Sequence, residues 1–217
     1  MHLPSRLAAA LSDNHSRQPI HFGLLLIAML SSCTLIPTQS LPVHTYLLLT
    51  PQLSPQTASP HTRLTLLVST PRAAAGYNTR RMAYTRKLYE LNYFSRNEWV
   101  DTPGRMLEPI LVSALRASGR FKSVIPSYIQ IPADLRLDTE IIVLVQDFSI
   151  QPSQSRFILH ARLIDLASGQ EIANRTFGAQ EPISAENPYS GVIALNQALQ
   201  HILGELITFC VHCVQGR

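Results

Sequence analysis

The chain has few charged residues, three cysteines and a single tryptophan among its 217 residues. Charged residues make up 15% of it, and basic residues exceed acidic ones by four, so its composition does not indicate a nucleic-acid partner. It contains no Gly-x-Ser-x-Gly elbow, phosphate-cradling glycine loop or His-Glu-x-x-His pair, which removes the common signatures of hydrolases, nucleotide-binding proteins and zinc proteases. The sequence therefore predicts no catalytic residue, no metal and no cofactor.

Long apolar runs are also missing after residue 33, so no transmembrane helix is expected there. The apolar segment Phe22–Leu30 is about half the roughly twenty residues that a spanning helix needs. It follows Arg6 and Arg17, and it leads into a short stretch of small residues that ends at Cys33. A positive stretch, a short apolar segment and small residues, in that order, are the parts of a secretory signal.

The residues Leu30-Ser31-Ser32-Cys33 resemble the lipobox of bacterial lipoproteins. This resemblance implies removal of residues 1–32 and lipidation of Cys33, whose acyl chains would give stable membrane anchoring. A buried core cysteine behind an uncleaved helix is the alternative. Residues 33–42 then hold the lipidated cysteine and a polar linker, residues 43–209 form one domain, and residues 210–217 form a tail with a cysteine pair.

Apolar periodicity predicts the secondary structure of this domain. The helix Thr102–Gly119 has Thr102 as a cap, Pro103 at its first turn and Gly119 just past its end. The other predicted elements are an amphipathic helix at Ser190–Phe209, an edge hairpin at Lys87–Phe94, and strands at Val43–Thr50, Arg63–Ser69, Leu135–Val145, Phe157–Leu163 and Gln170–Phe177. This order predicts a single α+β domain, with two helices on one face of a mostly antiparallel sheet.

Basic and aromatic residues concentrate between Arg72 and Lys87 and just beyond, and no acidic residue falls within that range. Such a run can face anionic lipid or an acidic protein, and arginine with aromatic residues is typical of interfaces. A solvated face, with the aromatic residues in the core, is the alternative. The candidate partner-binding residues, within the stretch Arg80–Trp99, are Arg80, Arg81, Tyr84, Arg86, Tyr93 and Trp99.

Two further groups of residues have a possible chemical role. Asp138 and Glu140 share one strand face, but the apolar residues alternate opposite them, which favours a solvated outer face over a carboxylate pair. Cys210 and Cys213 are an even pair once Cys33 is lipidated, and in an oxidising compartment a local disulfide is the leading prediction. Unpaired thiols and a metal or redox site are the alternatives.

The chain resembles the auxiliary lipoprotein component of ABC-type transport systems over essentially all of its length after Cys33. The stretches that carry the resemblance are Thr62–Pro71, Ala75–Thr79, Arg81–Tyr84, Tyr93–Phe94, Trp99–Leu115, Ser118–Phe121, Leu135–Phe148, Leu163–Gly169 and Phe177. Asn78 stands where the family more usually has aspartate, and the cysteine pair is no part of the pattern.

This resemblance implies a non-catalytic role beside an ATPase, a permease and an MCE-domain (mammalian cell entry) substrate-binding protein. Such systems move phospholipid or other lipophilic molecules across the cell envelope. The lipoprotein would be a periplasmic docking piece, and a homo-oligomer matching its partner would fit that role. Thr34 after the lipidated cysteine, in place of the aspartate that retains lipoproteins at the inner membrane, favours the outer membrane. A structural or assembly lipoprotein without a transport role, and a thiol or metal protein, are the alternatives.

Overall fold

A computed structural model describes residues 41–49 and 62–214 of the chain. The predicted signal segment, Cys33 and most of the linker lie outside the described residues. The described helices are α1 (Pro103–Ala117) and α2 (Pro188–Val214). The described strands are β1 (His44–Tyr46), β2 (Thr65–Val68), β3 (Arg72–Ala73), β4 (Arg81–Thr85), β5 (Asn92–Trp99), β6 (Ser123–Pro126), β7 (Leu135–Asp147), β8 (Gln154–Asp165) and β9 (Glu171–Pro182).

The long strand β7 organises one mixed sheet. One edge of β7 pairs antiparallel with β8 along almost its whole length, and β8 pairs in the same way with β9. The other edge of β7 pairs in turn with β2, β3 and β4, all parallel to it. Beyond these short strands, β6 pairs with β2, β5 pairs with β4, and β1 pairs with β5. The sheet is therefore mostly antiparallel by paired residues, as predicted.

Both helices pack on the same face of this sheet and close one hydrophobic core. Alternate residues of the long strands point into it, among them Leu137, Phe157 and Leu159, and each of these side chains is fully buried. The opposite face carries Arg136, Asp138, Glu140, His160 and Arg162, which remain partly exposed. The single α+β domain with two helices on one face is thus confirmed.

The first helix follows its sequence signals closely. It begins at Pro103 and ends at Ala117, and Gly119 takes the left-handed conformation, with φ of 62°. Thr102 occupies the N-cap position without making a side-chain capping bond, which differs from its predicted role. Gly104 is required by packing, because a Cβ atom there would overlap the carbonyl oxygen of Pro71.

Two other elements depart from their predicted bounds. The segment Lys87–Leu91 is the turn between β4 and β5, and β5 starts only at Asn92. The second helix continues through Val214, so residues 210–214 are helical and are not part of a tail. The helix continues because Cys210 and Val214 are buried against the same core as Phe209. Among the described residues, neither helix is both long and apolar enough to cross a membrane.

Candidate interaction surface

The hairpin of β4 and β5 ends in a turn that projects apolar side chains into solvent. Residues 86–91, here called the hairpin tip, include Leu88 with 72% of its surface exposed and Tyr89 with 98% exposed. Tyr89 also has a φ of 68°, in the left-handed region that a bulky residue rarely adopts. Strained backbone conformations of this kind are found most often at functional sites.

Local contacts hold the hairpin tip in place. The Thr85 hydroxyl donates to the Lys87 carbonyl over 2.7 Å, and the Glu90 amide donates to the same carbonyl over 3.1 Å. Below the tip, the rings of Tyr84 and Phe94 lie 4.4 Å apart, and Tyr84 also contacts the ring of Phe148. The tip therefore stands on an aromatic base that ties it to the end of β7.

The predicted basic residues of the hairpin differ in how their charge is used. Arg80 is paired with Glu98 over 2.6 Å, and Arg86 is paired with Glu186 over 3.3 Å. Arg81 stacks its guanidinium 4.0 Å from the centre of the Tyr93 ring, and within the described residues it has no carboxylate partner. Of the three arginines, Arg81 thus carries the charge that is most available to another molecule.

Glu186 forms the acidic side of the contact below the tip. Its carboxylate accepts hydrogen bonds from the Ser153 hydroxyl over 2.9 Å, from the Gln151 amide over 3.3 Å and from Arg86. These bonds lower the pKa of Glu186, and the bond from Ser153 makes the largest contribution. The carboxylate therefore remains ionised, and it fixes the Arg86 side chain beside the rings of Phe148 and Tyr84.

Trp99 does not belong to this surface, which corrects the prediction that it binds a partner. Its side chain is 2% exposed and lies in the core, because β5 turns its last residue inward where it pairs with β1. Its carbonyl accepts a bond from the Arg80 side chain over 3.2 Å. Tyr93 is half-buried and donates its hydroxyl to the Gly76 carbonyl over 2.9 Å.

The sequence predicts an edge hairpin at Lys87–Phe94 but does not single out Leu88 and Tyr89 as its exposed residues. The turn at residues 86–91 contains no glycine, proline, asparagine or aspartate to mark where the chain reverses. The neighbouring basic residues gave the right stretch of chain but not the residues that are most exposed within it.

The cysteine pair consists of one buried and one partly exposed thiol. Cys210 and Cys213 are both free thiols, so the predicted disulfide between them is not formed. Burial, with a smaller contribution from Cys213, raises the pKa of Cys210, and burial also raises the pKa of Cys213. Both shifts disfavour the thiolate, which is the reactive and metal-binding form. The cause is the helix, which directs Cys210 into the core.

The carboxylates on the polar outer face of the sheet form ion pairs. Asp138 lies 3.0 Å from Arg136 and accepts a hydrogen bond from the Ser69 hydroxyl over 2.7 Å. Glu140 lies 3.8 Å from Arg72. Each carboxylate thus has its own basic neighbour, an arrangement typical of a solvated sheet face.

Comparisons with known proteins identify a matching family model and similar solved structures. A family model for the ABC-type transport auxiliary lipoprotein component matches residues 46–206. A solved structure from Xanthomonas campestris, of the DUF330 family, is 25% identical with a TM-score of 0.72, and the match covers 80% of this chain and 97% of that chain. A second structure, of an uncharacterised protein, is 12% identical with a TM-score of 0.62 and covers 78% and 99% of the two chains, a likeness of fold alone. Among curated proteins, no match was found.

Proposed function

This chain belongs to the ABC-type transport auxiliary lipoprotein component family, and from that premise we propose that it is a non-catalytic docking component of an envelope transport system. Lipid on Cys33 would hold the domain at a membrane, and the hairpin tip would bind the periplasmic partner. The observation that carries the proposal is the exposure of Leu88 and Tyr89, side by side on an ordered turn.

The composition of the hairpin tip suits a protein partner. Aromatic and arginine side chains are enriched at protein interfaces, and a few such residues usually supply most of the binding energy. Tyr89 offers a large ring on a backbone that the bonds to the Lys87 carbonyl already order, so binding costs little backbone entropy at the turn. Lys87 adds positive charge within the tip and Arg81 adds it at the other end of β4, so an acidic surface on the partner would be complementary.

The finer parts of the proposal rest on the resemblance of the sequence. The partner would be an MCE-domain protein, working with an ABC permease and ATPase, and the cargo would be phospholipid or another lipophilic molecule. Thr34 supports an outer-membrane position, with the domain on the periplasmic side. A homo-oligomer of this chain would match a partner that is itself a ring.

Affinity purification of the intact lipoprotein from membranes, after mild crosslinking, tests the partner. We expect the MCE protein or a transporter subunit to co-purify with it. Tyr89→Asp and Leu88→Asp should each lower the recovered partner by about tenfold or more, as expected for loss of a central interface residue. Tyr128→Asp is the matched control, because Tyr128 is 79% exposed and lies outside the hairpin, after β6.

The outcomes separate the parts of the proposal. If no transport subunit is recovered with the wild-type protein, the docking role is wrong. If the two tip variants recover as much partner as Tyr128→Asp, the docking role stands but the hairpin tip is not the surface. Replacement of the anchor, Cys33→Ala, should release a folded domain that still binds the partner and no longer supports transport. Full transport by that variant would contradict the role of the anchor.

A further inference from the structure

A second exposed apolar surface lies where the start of the described chain meets the first turns of α2. It consists of Leu47 and Leu49, exposed by 43% and 60%, and of Tyr189 and Ile193, exposed by 63% and 43%. These four residues, here called the tether patch, line a groove of about 460 Å³. Exposed apolar side chains grouped in this way suit contact with another molecule or with a membrane.

Asn196 of α2 holds the chain segment that carries Leu47 and Leu49. The side chain of Asn196 accepts a bond from the Leu49 amide over 2.8 Å and donates to the Leu47 carbonyl over 3.5 Å. This clamp holds the segment extended, so Leu48 points into the core with 5% exposure while its two neighbours point outward. On α2, Tyr189 and Ile193 are four residues apart and therefore share one face.

The tether patch is also free of charge. Every residue that lines its groove is apolar or an uncharged polar residue, and Asn196, Gln197 and Gln200 form its polar side. The hairpin tip differs, because Arg86, Lys87 and Glu90 surround its apolar side chains. An uncharged surface gains nothing from anionic lipid or from an acidic partner. Tyrosine beside aliphatic residues suits the interface between lipid and water, where its ring is apolar and its hydroxyl is hydrated.

The chain that precedes the tether patch identifies what covers it. Cys33 lies eight residues before Leu41, a span that reaches at most about 28 Å when fully extended. Leu41 and Val43, between the anchor and the patch, are themselves 60% and 56% exposed. Any membrane that holds lipid on Cys33 is thus always within reach of these residues, at a high effective concentration.

We infer that the tether patch rests in the interfacial layer of the same membrane that holds the Cys33 lipid, so that the domain is oriented on the bilayer and not only tethered to it. This inference rests on the lipid anchor of the proposed function. Its occupant is the surface of a neutral bilayer, and Tyr189, Ile193 and Leu49 are the side chains that enter it.

Quenching by brominated phosphatidylcholine measures this contact in the acylated, full-length protein reconstituted into vesicles. A reporter is introduced as Tyr189→Trp, and the matched control is Leu166→Trp on the β8–β9 turn. Leu166 follows the C-terminal end of β8, whereas the first turns of α2 contact its N-terminal end, where the Ser155 hydroxyl donates to the Gly191 carbonyl. Trp99 is buried in both proteins and contributes the same background.

We expect brominated lipid to quench the Tyr189→Trp protein several-fold more strongly than the Leu166→Trp protein. The quenching should not change when salt is raised, because the patch is uncharged. Adding Ile193→Lys to the reporter protein should restore its emission, and because Ile193 is exposed the fold should be retained. Flotation with the vesicles, measured in every sample, reports on the anchor separately.

Three results would overturn the inference. Flotation without selective quenching would show a working anchor and a patch that stays out of the bilayer. Equal shielding of the reporter with ordinary and brominated lipid would show that protein, either a second copy or another segment of this chain, covers the patch. Absence of flotation would remove the anchor and with it the orientation proposed here.

Discussion

The two halves of the domain pair their strands in different ways. The long-strand half, residues 135–214, joins β7, β8 and β9 by continuous antiparallel ladders and covers them with α2. The short-strand half, residues 41–49 and 62–126, contains strands of two to eight residues. Three of these pair in parallel with successive parts of β7, which acts as their common template.

This difference explains where the exposed surfaces lie. In the long-strand half, β7, β8 and β9 satisfy each other's backbone groups along nearly their full length. Each short strand pairs with only a few residues along one edge of β7, and the chain then turns away from β7. The connections between these strands carry side chains that the sheet does not cover. The hairpin tip is such a connection, and the tether patch includes residues that continue beyond β1. The long-strand half thus supplies the support, the short-strand half supplies the hairpin tip, and the two halves share the tether patch, to which α2 contributes Tyr189 and Ile193.

The largest expected effect comes from truncating a buried side chain of the short-strand half. Trp99→Ala should lower the free energy of unfolding by about 4 kcal/mol, because it removes a large side chain that is 2% exposed. Tyr89→Ala, at the tip of the same hairpin, should change it by less than about 0.5 kcal/mol. Urea denaturation of both variants measures the two values. A Tyr89→Ala protein as unstable as Trp99→Ala would mean that the tip is packed and not displayed.

The sequence predicted the long-strand half better than the short-strand half, and the reason is physical. In β7 and β8, inward-facing apolar residues such as Leu135, Leu137 and Leu159 alternate with outward-facing polar residues. This alternation identifies both the strand and its buried face. A two-residue strand such as β3 has no period to detect. Parallel pairing with β7 joins segments that are distant in the sequence, and no local pattern records it.

The candidate surface was predictable only in part for the same reason. The arginines and tyrosines pointed to the correct hairpin, since composition is a local property. The pairing of β5 with β1 and β4 depends on residues distant in the sequence, and it buries Trp99, whereas Tyr89 is exposed because it lies in the turn outside both strands. The end of α2 was placed too early because Cys210 and Val214 bury an apolar face that continues past Phe209.

Two helical glycines, one packed and one exposed, test the close approach of α1 to the short strands. Gly104→Ala should cost about 3 kcal/mol, because its Cβ would overlap the Pro71 carbonyl oxygen and force α1 away from the short strands. Gly204→Ala in α2 is the control, since its Cβ would meet no atom and alanine favours a helix by up to about 1 kcal/mol over glycine. Thermal unfolding should therefore shift in opposite directions. A tolerated Gly104→Ala would show that α1 can move away from the Pro71 loop at little cost.

The pH dependence of stability tests whether Cys210, near the C-terminal end of α2, stays buried in the folded protein. Burial raises the pKa of Cys210 above its unfolded value, so the folded state holds the proton more tightly than the unfolded state does. The resulting stability is fully present below the ordinary thiol pKa, and it is lost as the pH rises toward the folded pKa. With an unfolded pKa near 8.5, ionisation of the unfolded thiol should remove about 2 kcal/mol of stability between pH 7 and pH 10.

The variant Cys210→Ala isolates this contribution. Its stability at pH 7 should fall because a buried group is lost, but it should decline less steeply than the wild type above pH 8. Tyr77 and Cys213 also have a raised pKa, but they remain in both proteins, so their effect cancels in the difference of slopes. Urea titrations at several alkaline pH values give that difference. Equal slopes would mean that Cys210 ionises as readily in the folded protein as in the unfolded chain, so the C-terminal turn of α2 would not be part of the support that the long-strand half provides.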